Sequence, residues 1–471
     1  MMSGPSPDTV HCDSIVLGHQ LSKTYKRYAL GVMTTVYMLH LVDRHVIGLL
    51  LQPIKEDLRL SDTQLGLLTG IAFGLFYATL GLPIARLADR GNRVTIISVA
   101  IGLWGLTVMG CLFVTNYVQL VFARIVASVG EAGCKPPTYS LVGDYFVQPT
   151  ERARAMTIYI AGSSLSELLS FMTAGWLNNL YGWRMTLFLI GTPGALLALL
   201  VKLTIVEPRV QDGGLHSDHA ETAPLLRVVL VTLWRRRSFR QLTFAMILVY
   251  VMGTGFYPWY AAFMMRSHGM RTGALGVWLG LIFGVGGILG ILVGGYSAGR
   301  WFSGNERGQM RMSAVTVALL VPCFVAFLTL QDRYQALIAL IPLIIMFSLF
   351  LGPTYALLQR LVSDDTRATA LAVVMLLANL VGFGVGPLVV GALSDILTPR
   401  FGSNSLRYAM LVMSLVAFWA SYHFWQAGRT VKEDLALVTG GQRYNSQPGV
   451  LGDRALLNAA HKPARLLRNT D

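Results

Sequence analysis

Acidic residues are scarce in this chain: 24 Asp and Glu stand against 38 Lys and Arg in 471 residues, and none occurs between Glu221 and Glu306. Charged residues make up only 13% and hydrophobic ones 54%, a balance that excludes a soluble globular protein of this length. Cysteine is nearly absent. Cys12, Cys111, Cys134 and Cys323 have neither metal-ligand nor redox spacing, which argues against a zinc site or a disulfide framework and leaves small packing thiols. There is no phosphate-cradling Gly-rich loop with its lysine, no nucleophile elbow and no paired Cys/His motif, so neither an ATP-driven pump nor an enzyme is expected, and no cofactor or metal. The first 28 or so residues lack the apolar segment of a cleavable signal.

What the chain has is apolar runs of about 20 residues, the length a helix needs to cross a bilayer. Twelve are expected, the first half at about 29–51, 65–87, 94–114, from Val118 through 139, 155–177 and 185–205. The second half places them at about 241–265, 275–298, 312–330, 335–358, 368–393 and 407–427. The expected class is an all-α membrane protein, and the divisions follow: a tail at 1–28, a six-helix bundle at 29–206, a linker at 207–240 with a basic interfacial helix near Trp234, a second bundle at 241–428 and a tail at 429–471. The net charge of +14 sits in the tails and in alternate loops, at Lys23, Lys26, Arg27, Arg90, Arg93, Arg152, Arg154, Arg235 to Arg237, Arg240, Arg300, Arg307 and Arg311. That pattern puts both termini in the cytoplasm and the positive charge beside anionic lipid rather than nucleic acid.

The two halves echo each other. Ala85-Arg-Leu-Ala-Asp-Arg90 corresponds to Gly295-Tyr-Ser-Ala-Gly-Arg300 at an offset of 210, which points to a duplicated unit with its substrate site near mid-bilayer between the copies. Glycines at 280, 284 and 287, and again at 286, 290 and 294, give the eighth span two small faces for close packing.

Charge inside the spans carries the functional signal. In RIVASVGEAGCKPPTY, helical spacing brings Arg124, Glu131 and Lys135 onto one face, and Asp43 and Arg44 stand together in the first span. Each costs roughly 2.5 to 3.5 kcal/mol at the bilayer centre on insertion scales, so these residues face a polar cavity rather than lipid. Asp43 and Glu131 suit proton exchange, while Arg44 suits a forked hold on phosphate or carboxylate. The bland alternative is a static salt-bridge network.

Lys135, four residues after Glu131, fits two roles: pairing with that carboxylate, or a second anchor for an anionic headgroup. Glu167 is either an added titratable group or the partner of a cavity base such as Lys135. His40 and His45 flank the Asp-Arg pair as relay candidates or as structural histidines. In the second half, Tyr250, Thr254 and Tyr257 share one helical face, and Tyr257, Tyr355 and Asn379 are candidate substrate contacts, with bundle packing as the alternative. An ionic half facing an aromatic half suits an amphiphile.

The motif Gly81-Leu-Pro-Ile-Ala-Arg-Leu-Ala-Asp-Arg-Gly-Asn-Arg93, together with Arg124, resembles the signature loop and helix 4 pattern of the major facilitator superfamily. VDRHVIGLL at 42–50, RIVASVGEAGCKPPTYSLVGDYF at 124–146, YGWR at 181–184, MRSHGM at 265–270 and GPLVVGALSD at 386–395 resemble the spinster branch, especially its bacterial members. The resemblance implies two pseudo-symmetric six-helix bundles working by alternating access in a bacterial inner membrane, and a monomer is expected. It also implies transport of lysolipid or sphingoid-type anionic amphiphiles, with proton coupling at Asp43 and Glu131 and substrate contacts from Arg44 and Glu131. Asp89, Arg90, Arg93 and Arg124 are expected to gate.

The sequence departs from the pattern at Ala85 and Gly299, and at Lys135 and Glu167, where polar uncharged and small residues are usual. Two other functions stay open: proton symport of a small organic anion such as a sugar acid, and a lipid-binding sensor without turnover.

Overall fold

A computed structural model of the chain describes residues 21–208, 234, 236–302, 304–362 and 367–445, without the side chains of 82, 89, 90, 367–369, 372 and 437–445. Among these residues every regular element is helical and no strand occurs. Residues 1–20 of the tail expected at 1–28, residues 446–471 of the tail expected at 429–471 and most of the expected interfacial helix lie outside the described residues, as does Cys12.

Helix α1 (Lys23–Leu58) starts where Ser22 accepts a hydrogen bond from Tyr25 N at 3.1 Å, and it stops at Arg59, whose φ of 51° is left-handed. A capping box from Ser61 and Gln64 opens α2 (Asp62–Thr69), and α3 (Ile71–Arg90) continues the same direction after a bend at Gly70. Then follow α4 (Arg93–Gly110), α5 (Tyr117–Ala132), α6 (Lys135–Tyr145) and α7 (Pro149–Thr204). The 56 residues of α7 are two helices joined at Gly182, whose φ of 76° reverses the chain between the fifth and sixth expected spans.

The second half begins with α8 (Arg237–Phe256) and α9 (Trp259–His268), followed by α10 (Thr272–Trp301) and α11 (Glu306–Thr329). Next come α12 (Arg333–Leu349), α13 (Leu351–Arg360), α14 (Arg367–Phe401), α15 (Ser405–Ser414) and α16 (Val416–Asn445). Helix α16 runs past the tail boundary expected at 428 because Asp434 accepts from Ser238 N at 2.7 Å, docking the extension on the start of α8.

Eight helical stretches among the described residues are long and apolar enough to cross a membrane. Neither α1 nor the α5–α6 pair is among them: α1 carries Asp43 and Arg44 in its middle, and α5 and α6 are cut to 16 and 11 residues by the break at Gly133 and Cys134.

The halves meet along two seams, α7 against α10 and α2–α3 against α14. Glycine permits the close approach: a Cβ on Gly66 would stand 2.5 Å from Pro387 O, and one on Gly280 would stand 2.8 Å from Leu168 O. The two glycine faces of α10 divide as their spacing predicts. Gly280 and Gly284 meet α7, whereas Gly290 and Gly294 meet the backbone of α12 at Ile345 and Leu349.

Candidate substrate and coupling site

At the centre of the first half, α1 and α5 exchange two ion pairs. Asp43 pairs with Arg124, and Arg44 Nε donates to Glu131 Oε1 at 2.7 Å. Asp43, Arg124 and Glu131 are buried, and His40 Nδ1 lies 3.3 Å from the same Glu131 oxygen. Two carboxylates and two guanidiniums balance, which is how four such groups can share a buried site. The balance is electrostatic only. Arg44 Nη2, Arg124 Nε, Glu131 Oε2 and both His40 nitrogens are buried without a protein hydrogen-bond partner. Such orphaned groups are rare in a merely structural network.

The Arg44 guanidinium is also wrapped in aromatic rings, with Cζ 4.7 Å from the centroids of both Phe73 and Tyr77 and 4.8 Å from that of Phe383. Phe383 comes from α14, so this cation spans the two halves. A cavity of about 40 Å³ lies against it, lined among others by Thr69, Arg124, Thr254, Tyr257 and Phe383. That is room for roughly two or three waters or one small polar group.

Of the other expected contacts, Tyr257 reaches this cavity, and its buried hydroxyl has no hydrogen-bond partner. Tyr355 instead pairs with Tyr250, hydroxyl to hydroxyl at 2.5 Å. Asn379 Nδ2 turns back to Met375 O of its own helix at 2.7 Å, and Phe383, one turn on, takes the place beside Arg44.

Lys135 and Glu167 stand outside the balanced quartet. The helix carrying the charged stripe bends at Gly133 and Cys134, because Pro136 and Pro137 have no N–H to continue the ladder. Lys135 Nζ lies over Tyr37, 5.4 Å from the ring centroid, and among the described residues it has no carboxylate within 4 Å. Glu167 has a single ionic-distance neighbour among the described residues, His45 Nε2 at 3.9 Å.

The two ends of the bundle are tied differently. Beside the α1–α2 turn, buried Asp62 accepts from Arg266 Nη1 and Nη2 at 2.7 Å each, from Lys55 Nζ at 2.5 Å and from Ser394 Oγ at 2.6 Å. Asp395 in turn accepts from the backbone N–H groups of Asp62 and Thr63, at 3.0 and 2.7 Å. This network crosses between halves, and sequence reasoning did not single it out. Its signal was present in MRSHGM and GPLVVGALSD, which carry Arg266 and Asp395.

At the opposite end, Arg93 bonds Asp144 at 2.6 Å, Ser140 at 2.9 Å and also Glu207, all within the first half. The side chains of Asp89 and Arg90 lie outside the described residues. Arg124, expected with this gating group, lies instead at the bundle centre on Asp43.

A helical membrane bundle with a balanced, hydrogen-bond-hungry ionic centre at the meeting of its halves defines a membrane transport protein. The model of the Major Facilitator Superfamily matches residues 33–387, and the chain belongs to that superfamily as a transporter of the spinster type. It is an integral membrane protein with several spanning helices, of the bacterial plasma-membrane kind.

An MFS-type efflux pump of Mycolicibacterium smegmatis is 31% identical over 412 residues, covering 86% of this chain and 94% of that protein. A hexuronate transporter of Bacillus subtilis is 23% identical over 366 residues, covering 76% and 85%. Among solved structures, a bacterial homolog of the human lysosomal transporter spinster, inward-facing and unoccupied, superposes with a TM-score of 0.79 at 27% identity, covering 88% of this chain and 99% of that one.

Proposed function

We propose that the chain is a secondary transporter of anionic amphiphiles, lysolipid-like or sphingoid, coupled to protons and working by alternating access. The observation that carries this reading is Arg44, a cation held between Glu131 and three aromatic rings, with Nη2 buried and unpartnered. A phosphate or carboxylate offers that guanidinium the acceptor it lacks, and the surrounding rings suit the adjoining apolar chain. When the anion binds Arg44, it competes with Glu131 for the same guanidinium. A carboxylate released from its cation takes up a proton more readily, which couples substrate to proton through Glu131, with Asp43 and Arg124 as the second exchanging pair.

In this reading twelve spans form two six-helix bundles in a monomer, with both termini and the Arg93 end in the cytoplasm. The Asp62 network holds the outer side shut, so the state is inward-facing. Asp89, Arg90 and Arg93 then serve the inner gate.

The size of the Arg44 cavity and the hexuronate-transporting relative favour a second reading, proton symport of a small sugar acid. Reconstituted flux separates them. Labelled lysolipid moving in proteoliposomes, responding to an imposed pH gradient and abolished by Glu131→Gln, is the expected result. Flux of a sugar acid that lysolipid does not inhibit establishes the second reading. Saturable lipid binding without flux makes the protein a sensor.

A further inference from the structure

We propose that the groove between α11 and α16, on the outer surface of the second half, is a binding site for one anionic phospholipid of the membrane leaflet at the Arg93 end. The inference concerns this lipid-facing surface and is independent of what the central site carries.

The first observation is the order of residues along two neighbouring helix faces. On α16, Phe418, Tyr422, Trp425 and Arg429 follow one another at steps of four, three and four residues and so form one stripe. That stripe is open, with Phe418, Tyr422 and Trp425 exposed by 52, 54 and 40% and Arg429 exposed beyond them. On α11, Arg307, Arg311, Val315 and Leu319 recur every four residues, and all four are exposed. Ser421 Oγ donates to Ala314 O at 2.7 Å, and a Cβ on Gly428 would stand 3.2 Å from Met310 Cβ, so the two helices run antiparallel in close contact. Both stripes are therefore basic at the same end and apolar away from it.

The second observation is how the stripes are joined. Arg311 crosses to α16 and lies over the Trp425 ring, with Cζ 5.2 Å from the centroid. A guanidinium stacked in this way keeps its N–H edge for a phosphate. Among the described residues Arg307, Arg311, Arg429 and Lys432 form no ion pair, since Glu306 is held by Arg360 at 2.8 Å and Asp434 accepts from Ser238 N. Exposed Glu433 is the one other acid on these two helices, so positive charge stays in excess.

The third observation is that the first half lacks this arrangement. Its corresponding seam joins α4 to the end of α7, where Ser98 Oγ likewise donates to Ala198 O at 2.7 Å. The outer face there carries exposed Leu196, Leu199 and Leu203, and Lys202 is bonded to Thr95 Oγ1 at 2.7 Å. An aromatic belt that only marks the membrane surface places rings at headgroup depth. From Phe418 to Trp425 the rings extend about 10 Å along the helix, deeper than an interfacial layer of roughly 5 to 8 Å. A phosphate held by Arg311 and Arg429, with its acyl chain along the rings, uses both ends of the groove.

The test is native mass spectrometry of the full chain in detergent, titrated with dioleoyl phosphatidylglycerol and, separately, with dioleoyl phosphatidylcholine. The expected result is one phosphatidylglycerol held at least fivefold more tightly than phosphatidylcholine, with that preference lost when Arg311→Gln and Arg429→Gln are combined. Trp425→Leu, which keeps every charge, is expected to weaken phosphatidylglycerol at least threefold, and Lys202→Gln on the first half to leave it unchanged. Equal retention of the two lipids, a preference that survives the double substitution, or an equal loss in Lys202→Gln overturns the inference. Dimers that the double substitution disperses would make the groove a protein interface and overturn it as well.

Discussion

At the Asp62 end the ion pair to Arg266 and the bonds to Asp395 and Ser394 run between the two halves, beside the pairs Lys55–Asp62 and Arg184–Asp57 within one half, while at the Arg93 end the ion pairs among the described residues stay within one half. Asp62 and Asp395 take bonds from the opposite half, from Arg266 and Thr63 respectively. Arg93 holds Asp144 and Glu207 of its own half, and Arg360 holds Glu306 of the other. The difference teaches what each network does. In the proposed alternating access, contacts across the seam hold one conformational state, and contacts within a half keep that half rigid while it moves. The signature loop after α3 is thus anchored to its own bundle in this state.

Three substitutions sharpen or break that contrast. The largest effect is expected at Asp62→Ala, which strips the buried carboxylate from Arg266 and Lys55. Removing one partner of such a pair costs about 3 to 5 kcal/mol, read as a lower unfolding temperature, and spin labels on α2 and α14 are expected to show the outer ends moving apart. An unchanged distance distribution would break the comparison. Glu207→Gln is expected to cost about 1.5 to 3 kcal/mol, because a charged partner of Arg93 is weakened, and to leave the distances between halves unaltered in the same experiment. A shift in those distances would show that the Arg93 cluster already restrains the two halves in this state.

The smallest effect is expected at Lys135→Ser. Loss of a partly exposed cation over Tyr37 corresponds to about 0.5 to 1 kcal/mol, a two- to fivefold weaker lysolipid affinity, with the pH profile of transport unchanged. A steeper pH profile would revive pairing with Glu131.

The helical class and the buried ionic centre were legible because both are written in local periodicity. Twenty apolar residues mean a crossing, and a charge inside such a run means a polar interior. Asp43, Arg44, Glu131 and Arg124 could therefore be singled out one by one. Their partners could not, since Arg44–Glu131 and Asp43–Arg124 depend on how α1 lies against α5. The last member of the stripe, Lys135, follows a bend that two prolines impose, so it lies over Tyr37 and not at ion-pair distance from Glu131, a detail that periodicity alone does not carry. The Asp62 network was least legible. Its contacts join residues 204 and 332 positions apart, and nothing local to Asp62 separates it from an ordinary helix-starting aspartate.

Helix α10 has one further consequence. Its closest approach to α7 is at Gly276, Gly280 and Gly284, flanked by the Phe171–Phe283 ring pair and the Asn178–Thr272 hydrogen bond, while Gly290 and Gly294 seat it in its own half against α12. Side chains that interdigitate must unlock rotamer by rotamer before two surfaces can shift. In the proposed rocking motion the glycine strip offers little to disengage, and the resistance falls on the Phe171–Phe283 pair, the Asn178–Thr272 bond and the ionic bonds at the Asp62 end.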